Sequence, residues 1–182
     1  VEEVVDTVYL GAWPREVFKQ FGGFDEGFVR NQDDEFNYRI RSKGGKIVLN
    51  PNIRSRYYNR ASLGKLRRQY YQYGYYKARV ARKLLRQMRV RHFVPLGFVC
   101  AIVFGAILAL FIEPLRLPYL AMLAAYAFLN LGFSVRLASG YGWYHLPYLP
   151  TVFLTLHFSY GLGFLIGAVL LTLGLHGQRQ PA

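Results

Sequence analysis

Three long apolar runs fill the second half of the chain, while the first half alternates short apolar stretches with glycine and charge. His92–Ile112 holds 21 residues without a formal charge. That is enough to cross a hydrocarbon core of about 30 Å at about 1.5 Å per helical residue. Glu113-Pro114-Leu115-Arg116-Leu117-Pro118 then reads as a tight turn. Tyr119–Val135 is a second run, interrupted only by Asn130, with Arg136 placed to snorkel at its end. After the polar-aromatic connector Ser139–His145, Leu149–Leu175 forms a third uncharged run of 27 residues. It is longer than a span requires, which predicts tilt or an interfacial extension. The pattern predicts three transmembrane helices near 92–112, 119–135 and 149–175, with the end of the third on the far side from residues 1–91. The alternative is a hairpin of the first two segments that does not fully cross.

Before residue 92 the pattern predicts an α/β piece followed by one long helix. Val4–Leu10 reads as a strand, and Pro14–Phe21 as a short helix closed by Gly22-Gly23. Phe24-Asp25-Glu26-Gly27 is a loop. Asn31 is placed to cap a second helix running to Ser42, which Gly44-Gly45 ends. Lys46–Leu49 and Ile53–Tyr58 read as strands around an Asn50-Pro51 turn. In Leu63–Met88, residues Leu63, Leu66, Tyr70, Tyr73, Val80 and Leu84 recur at helical spacing, with the basic residues largely off that face. A basic amphipathic helix just before a span reads as interfacial, on anionic lipid.

Charge sharpens this division. The chain has 182 residues and a formal net charge of +13. Residues 1–91 carry 20 of the 23 Lys and Arg and 9 of the 10 Asp and Glu, so a uniform soluble domain is excluded. Arg79, Arg82, Lys83, Arg86, Arg89 and Arg91 crowd the near side of the first run, against Arg116 beyond it. The positive-inside rule therefore places residues 1–91 in the cytoplasm. The single cysteine, Cys100, lies in an apolar run and excludes an intrachain disulfide framework. The chain begins at Val1, already inside a predicted strand, which suggests a piece of a longer protein.

Three features carry candidate chemistry. Asp33-Asp34-Glu35 is a dense acidic cluster in the first turn of a helix, where carboxylates stabilise the dipole by about 0.3–1 kcal/mol each without further role. The same spacing suits a Mg2+ or Mn2+ ligand pair, or a general base with a raised pKa. Spacing alone leaves all three open. The interleaved Arg and Tyr residues of Arg67–Lys77 suit single-stranded nucleic acid as well as lipid. Their place beside a span favours lipid or a phosphate-bearing lipid substrate, and no nucleic acid is expected. In the third run, His157, Tyr160 and Gly161 lie close on a helix beside Gly163-x-x-x-Gly167. These read as helix packing with hydrogen bonds across it, or as an intramembrane histidine facing a lipid-linked substrate.

Taken in order, the segments resemble the C-terminal half of a family 2 glycosyltransferase of the GT-A fold. Val5–Ala12 with Pro14–Phe18 resembles the strand and helix entering the acceptor side, and Gly22-Gly23-Phe24-Asp25-Glu26 resembles the family's Gly-Gly-Phe-Asp-Glu loop. Gln32-Asp33-Asp34-Glu35-Phe36-Asn37-Tyr38-Arg39 resembles the Glu-Asp-x-Asp-Leu-x-x-Arg helix, with Gln32 in place of Glu. Gln69-Tyr70-Tyr71-Gln72-Tyr73 resembles the Gln-x-x-Arg-Trp segment, with Gln72 for Arg and Tyr73 for Trp. The run from His157 to Gly163 is similar to the membrane region of succinoglycan-type glucosyltransferases.

The resemblance implies a division into an acceptor-side catalytic part (1–62), an interfacial helix (63–91) and a transmembrane region (92–182). It implies inverting transfer of a sugar from a nucleotide-sugar donor to a lipid-linked or saccharide acceptor, in exopolysaccharide or cell-surface glycan synthesis at a bacterial inner membrane. Asp33 falls on the catalytic base. Asp25, Glu26, Gln69, Gln72 and Tyr73 fall on acceptor-binding positions. Gln32, Asp34, Glu35, Arg39, Arg67, Arg68, His157 and Tyr160 support them, with Arg67 or Arg68 replacing the missing diphosphate contact. A divalent metal, Mg2+ or Mn2+, is implied, its ligands lying in a nucleotide-binding half that these residues do not contain, so these residues alone are expected to be inactive. The competing reading is a non-catalytic membrane adaptor that binds anionic lipid or a protein partner through the tyrosine-rich helix.

Overall fold

The structure is a computed structural model that describes residues 2–175, apart from Tyr9, Val29, Tyr57, residues 59–61, Arg86 and Gln87. Arg86 of the basic flank, together with Tyr9 and Tyr57 of the expected strands, therefore lies outside the described residues. Two strands, β1 (Glu3–Val5) and β2 (Ile47–Leu49), pair antiparallel with Val4 opposite Val48. Between them lie α1 (Arg15–Phe21) and α2 (Gln32–Ser42). The long helix α3 (Leu63–Lys83) is followed by three apolar helices, α4 (Val94–Phe111), α5 (Arg116–Tyr141) and α6 (Leu149–Thr172). All three are long and apolar enough to cross a membrane.

The element boundaries follow local chemistry. Pro14 supplies the residue before α1, and Gly22, at φ +80°, turns the chain out of it. α2 ends in a Schellman arrangement: the Gly44 N–H donates to the Arg41 carbonyl and the Gly45 N–H to the Ile40 carbonyl, both at 3.0 Å. Gly44 takes φ +87°, which a Cβ would strain. The Ser62 hydroxyl accepts from the Lys65 N–H at 3.3 Å to cap α3. Asn31 departs from expectation. It stands at the start of α2 but in the left-handed region, φ +61°, and its side chain makes no capping bond. The expected strand over Ile53–Tyr58 does not form among its described residues, because β2 ends at Leu49 and β1 is already its partner.

A small aromatic core holds the α/β piece together. Phe36, Ile40 and Ile47 are buried, with Val5, Val8, Val17 and Phe21 packed around them. Phe18 stacks on Phe36 at 5.1 Å, while Trp13 and Phe24 meet the same ring edge-on or tilted at 5.3 and 5.1 Å. Such pairs add about 0.5–1.5 kcal/mol each beyond area burial.

The most extensive helix–helix contact among the described residues joins α3 to α6. A Cβ on Gly74 would overlap the Tyr160 carbonyl, and one on Gly163 the Tyr71 carbonyl. At Gly167 a Cβ would stand 2.5 Å from the Tyr75 carbonyl oxygen. Gly161 meets α4 in the same way at Pro95. Glycine is required here because the two backbones touch. The buried residues of α3 are accordingly Gln69, Gly74, Tyr75, Tyr76, Ala78 and Val80. Leu63, an expected member of the apolar face, is exposed. Docking on α6, rather than the helix's own amphipathic stripe, selects the buried side.

The two helices run in the same direction. Tyr71 lies by Gly163, Tyr75 by Gly167, and Arg82 Nη1 donates to the Leu171 carbonyl at 3.3 Å. The last turn of α6 thus sits against the basic end of α3. The Arg82–Leu171 contact therefore puts the end of α6 on the same side as the basic end of α3.

Two outcomes test the packing. Gly163→Ala should lower stability in detergent by about 1–3 kcal/mol through overpacking, read as a fall in the thermal midpoint. Gly132→Ala, where a Cβ meets nothing within 4 Å, should leave that midpoint unchanged. In a Cys100→Ser background, Leu175→Cys and Glu26→Cys should react with an impermeant maleimide from the same side of sealed vesicles. Labelling from opposite sides would mean that the Arg82–Leu171 contact does not hold in the membrane.

Candidate active site

The acidic turn of α2 is set between the Gly22–Gly27 loop and the inner face of α3. Arg39, one turn further along α2, ties the loop down. Its guanidinium donates to the Phe21 carbonyl at 2.5 Å and the Gly23 carbonyl at 2.9 Å, and pairs with Glu35 at 2.6 Å. Glu35 is buried, and Lys83 Nζ approaches it at 3.7 Å. Asp34 pairs with Lys77 Nζ at 2.7 Å. Asp33 is exposed, and among the described residues its carboxylate has no hydrogen-bond or ion-pair partner. Gln32 beside it is exposed as well.

The loop carries its own constraint. Asp25 accepts from the Gly27 N–H at 2.9 Å and from Lys83 Nζ at 2.5 Å. The Lys83 hydrogen bond, and then the Gly27 N–H, hold its carboxyl below the ordinary aspartate value. Phe28 is buried with Arg79 and Lys83 over its ring at 5.5 and 5.4 Å. Glu26, at the loop tip, stays exposed.

On α3, Gln69 is buried and donates to the Tyr73 hydroxyl at 2.7 Å. Gln72 accepts from Arg30 Nη2 at 3.0 Å. Arg67 and Arg68 are exposed and make no such contact among the described residues. The guanidinium delivered to the Gln72 position is therefore that of Arg30, which the sequence reading passed over. Lys77 and Lys83 were likewise missed as partners of the acids. They look like ordinary members of a basic helix until α2 is seen against it.

His157 lies apart from this cluster, whereas Tyr160 on α6 is close enough to Asp34 to feel its charge. His157 Nδ1 meets the Tyr126 hydroxyl at 3.2 Å across α5 and α6. The pair borders an apolar cavity of about 410 Å3 whose walls include Phe98, Phe133 and Phe153. Tyr160 contributes its carbonyl to the contact with Gly74. These contacts are those of helix packing, with a polar pair across α5 and α6 and a backbone contact between α3 and α6.

The carboxylates do not fit a metal site. Among the described residues no three His, Cys, Asp or Glu side chains converge. Asp34 and Glu35 are taken up by Lys77 and Arg39, which leaves one uncommitted carboxylate in the acidic turn. Asp33 is the carboxylate of this turn that stays exposed to solvent.

The order of loop, acidic helix and glutamine segment resembles that of family 2 glycosyltransferases, and the chain is similar to known proteins over much of its length. It is 32% identical over 149 residues to the succinoglycan biosynthesis protein ExoA of Rhizobium meliloti, an alignment covering 82% of this chain and 44% of that protein. It is also 32% identical over 122 residues to dolichyl N-acetyl-alpha-D-glucosaminyl phosphate 3-beta-D-2,3-diacetamido-2,3-dideoxy-beta-D-glucuronosyltransferase of Methanococcus voltae, covering 62% of this chain and 37% of that one. The chain thus spans less than half the length of the curated relatives it matches. No family model and no solved structure matches it.

The Lys83–Asp25 tie has a defined pH window. Asp25 titrates below 3.8 in the folded chain, so the stability it contributes is present above that value and is lost as pH falls through the lower folded one. Acid titration of the chain in detergent should therefore show a loss of stability below about pH 4 that shrinks in Lys83→Met. An unchanged acid limb in that variant would mean that the contact contributes nothing.

Proposed function

We propose that this chain is the acceptor-side and membrane portion of an inverting family 2 glycosyltransferase with a GT-A catalytic domain, in which Asp33 is the general base. The observation that carries this reading is the selective pairing of the acidic turn. Asp34 and Glu35 are each held by a cation, and Asp33 alone of the three is exposed without a partner among the described residues. Similarity to a glucuronosyltransferase and to a succinoglycan biosynthesis protein supports the assignment to glycan synthesis.

In this mechanism the acceptor hydroxyl oxygen attacks the anomeric carbon of a nucleotide-bound sugar from the side opposite the diphosphate. Its proton passes to the Asp33 carboxylate. The bond from anomeric carbon to diphosphate breaks, and its electron pair leaves with the nucleoside diphosphate. Because attack is from the rear, configuration inverts. Arg39 and Lys83 fix the Asp25 loop, and the ion pairs on Asp34 and Glu35 fix the helix that presents the base, so positioning supplies much of the rate. Arg30, seated on Gln72, is the cation assigned to the leaving diphosphate, with Gln69 and Tyr73 on the acceptor side. The implied Mg2+ or Mn2+ would stabilise the leaving group, and its ligands are assigned to residues other than these. The nucleotide-binding half is assigned to further length of the kind the relatives possess, and residues 1–182 alone are expected not to turn over.

The membrane helices fit an amphiphilic, lipid-linked acceptor. The apolar cavity among α4, α5 and α6, with Tyr126 and His157 at its edge, suits its hydrocarbon part. Residues 1–91 are assigned to the cytoplasmic face of a bacterial inner membrane, with exposed Lys65, Arg67 and Arg68 toward anionic lipid.

In the full-length protein, Asp33→Asn should lower kcat about 100- to 10,000-fold while the thermal midpoint and donor binding stay as in the parent. Sugar transfer from a panel of labelled nucleotide sugars into membrane lipid extract measures this. A variant retaining more than a tenth of the parent rate would remove Asp33 as the base.

A further inference from the structure

A second polar cavity, of about 220 Å3, lies where α2 meets the connection between α3 and α4. The proposed reaction does not use it. Four cations border it: Arg41 on α2, Lys77 on α3, and Arg89 and Arg91 in the connection. Two carboxylates answer them. Asp6 takes both Arg41, at 2.5 Å, and Arg89, while Asp34 takes Lys77. Two positive charges remain uncompensated. One is Arg91, which is exposed and has no partner among the described residues. The other is shared by the two guanidiniums on the single carboxylate of Asp6.

The wall also holds a histidine in a fixed orientation. His92 closes the short helical turn Val90–His92, and its Nδ1 accepts the Arg89 backbone N–H at 3.1 Å. In the neutral ring the proton is then on Nε2, a donor. Burial pushes the imidazole toward its neutral form, and Lys77, Arg91 and Arg89 push the same way against the opposing pull of Asp34. The groups facing His92 thus act as a net positive field, the complement of an anion. Val94 begins the first apolar helix two residues beyond His92, so the cavity lies beside the start of a helix apolar enough to cross a membrane.

We infer that this cavity binds a phosphate group, with Arg89 and Arg91 gripping its oxygens and His92 donating through Nε2. Guanidiniums at two points and a ring N–H match a tetrahedral anion with several acceptor oxygens. A phosphate carried by a lipid and a phosphate on a soluble ligand share this chemistry, and a site beside the start of such a helix is open to both. The inference stands on the cavity's own residues and holds whether or not Asp33 is the base.

The test is binding to the purified full-length protein in an uncharged detergent, with inorganic pyrophosphate as probe. Saturating pyrophosphate should raise the apparent pKa of His92, followed by its imidazole NMR signals, by about one unit. Arg91→Gln should weaken pyrophosphate binding about tenfold, Arg91→Lys should restore part of it, and Arg116→Gln, at the other end of α4, should leave it unchanged. In nanodiscs, lost pyrophosphate binding with phosphatidic acid present but not with phosphatidylcholine alone assigns the site to lipid phosphate. Equal binding in both assigns it to a soluble one, and either result sustains a phosphate site. Pyrophosphate that leaves the His92 signals unmoved, or that binds Arg91→Gln as tightly as the parent, overturns it.

Discussion

Lys77 and Lys83 decide where the acidic helix sits. Each reaches from α3 to a carboxylate of the α/β piece, Lys77 to Asp34 and Lys83 to Asp25 and Glu35. Only 11% of the Lys77 side chain and 23% of that of Asp34 remain exposed, so removing either partner would leave a poorly solvated charge. Surface pairs of this kind contribute little, but a partly desolvated pair fixes registry because few other positions satisfy both charges. The consequence is chemical as well as architectural. Two of three adjacent carboxylates are committed to structure, and the third is left to water.

That pairing means something only because α3 is itself anchored. Its backbone lies directly on α6 through Gly74, Gly163 and Gly167, and such contact excludes even a methyl group. The contact sets the height of α3 along α6 and hence the height of Lys77, Lys83 and the acidic turn they hold. Helix packing and ion pairing form one chain of dependence, from the apolar helices to the exposed carboxylate of Asp33. The same chain brings Arg89, Arg91 and His92 beneath α2 and so creates the cationic cavity.

Arg39 shows how one side chain joins levels. It completes an i,i+4 pair with Glu35, a local helix contact, and reaches two carbonyls of the glycine loop. The loop's Asp25 is then held from the other side by Lys83. A segment with three glycines and few apolar side chains would otherwise have little to fix it. Here it is clamped by charge-assisted hydrogen bonds at both ends.

Much of this was legible in the residues alone. Apolar runs longer than a bilayer is thick can do little else but form membrane helices, and α4, α5 and α6 fall where those runs lie. Glycine pairs ended α1 and α2 because a positive φ strains most residues that carry a Cβ. The resemblance drew attention to Asp33. The misreadings share a cause. The expected strand at Ile53 lacks a partner edge, and the expected apolar face of α3 was overruled by α6, since burial depends on which neighbour docks. Arg30, Lys77 and Lys83 carried no signal, because one lysine in a basic helix looks like the next. Sequence by itself determined the helices, their apolar lengths and the acidic turn, for these follow from local preference and transfer energy. Only tertiary structure decided which carboxylate stays free and which cations face each other, because Coulomb and hydrogen-bond energies depend on distances that no one segment contains.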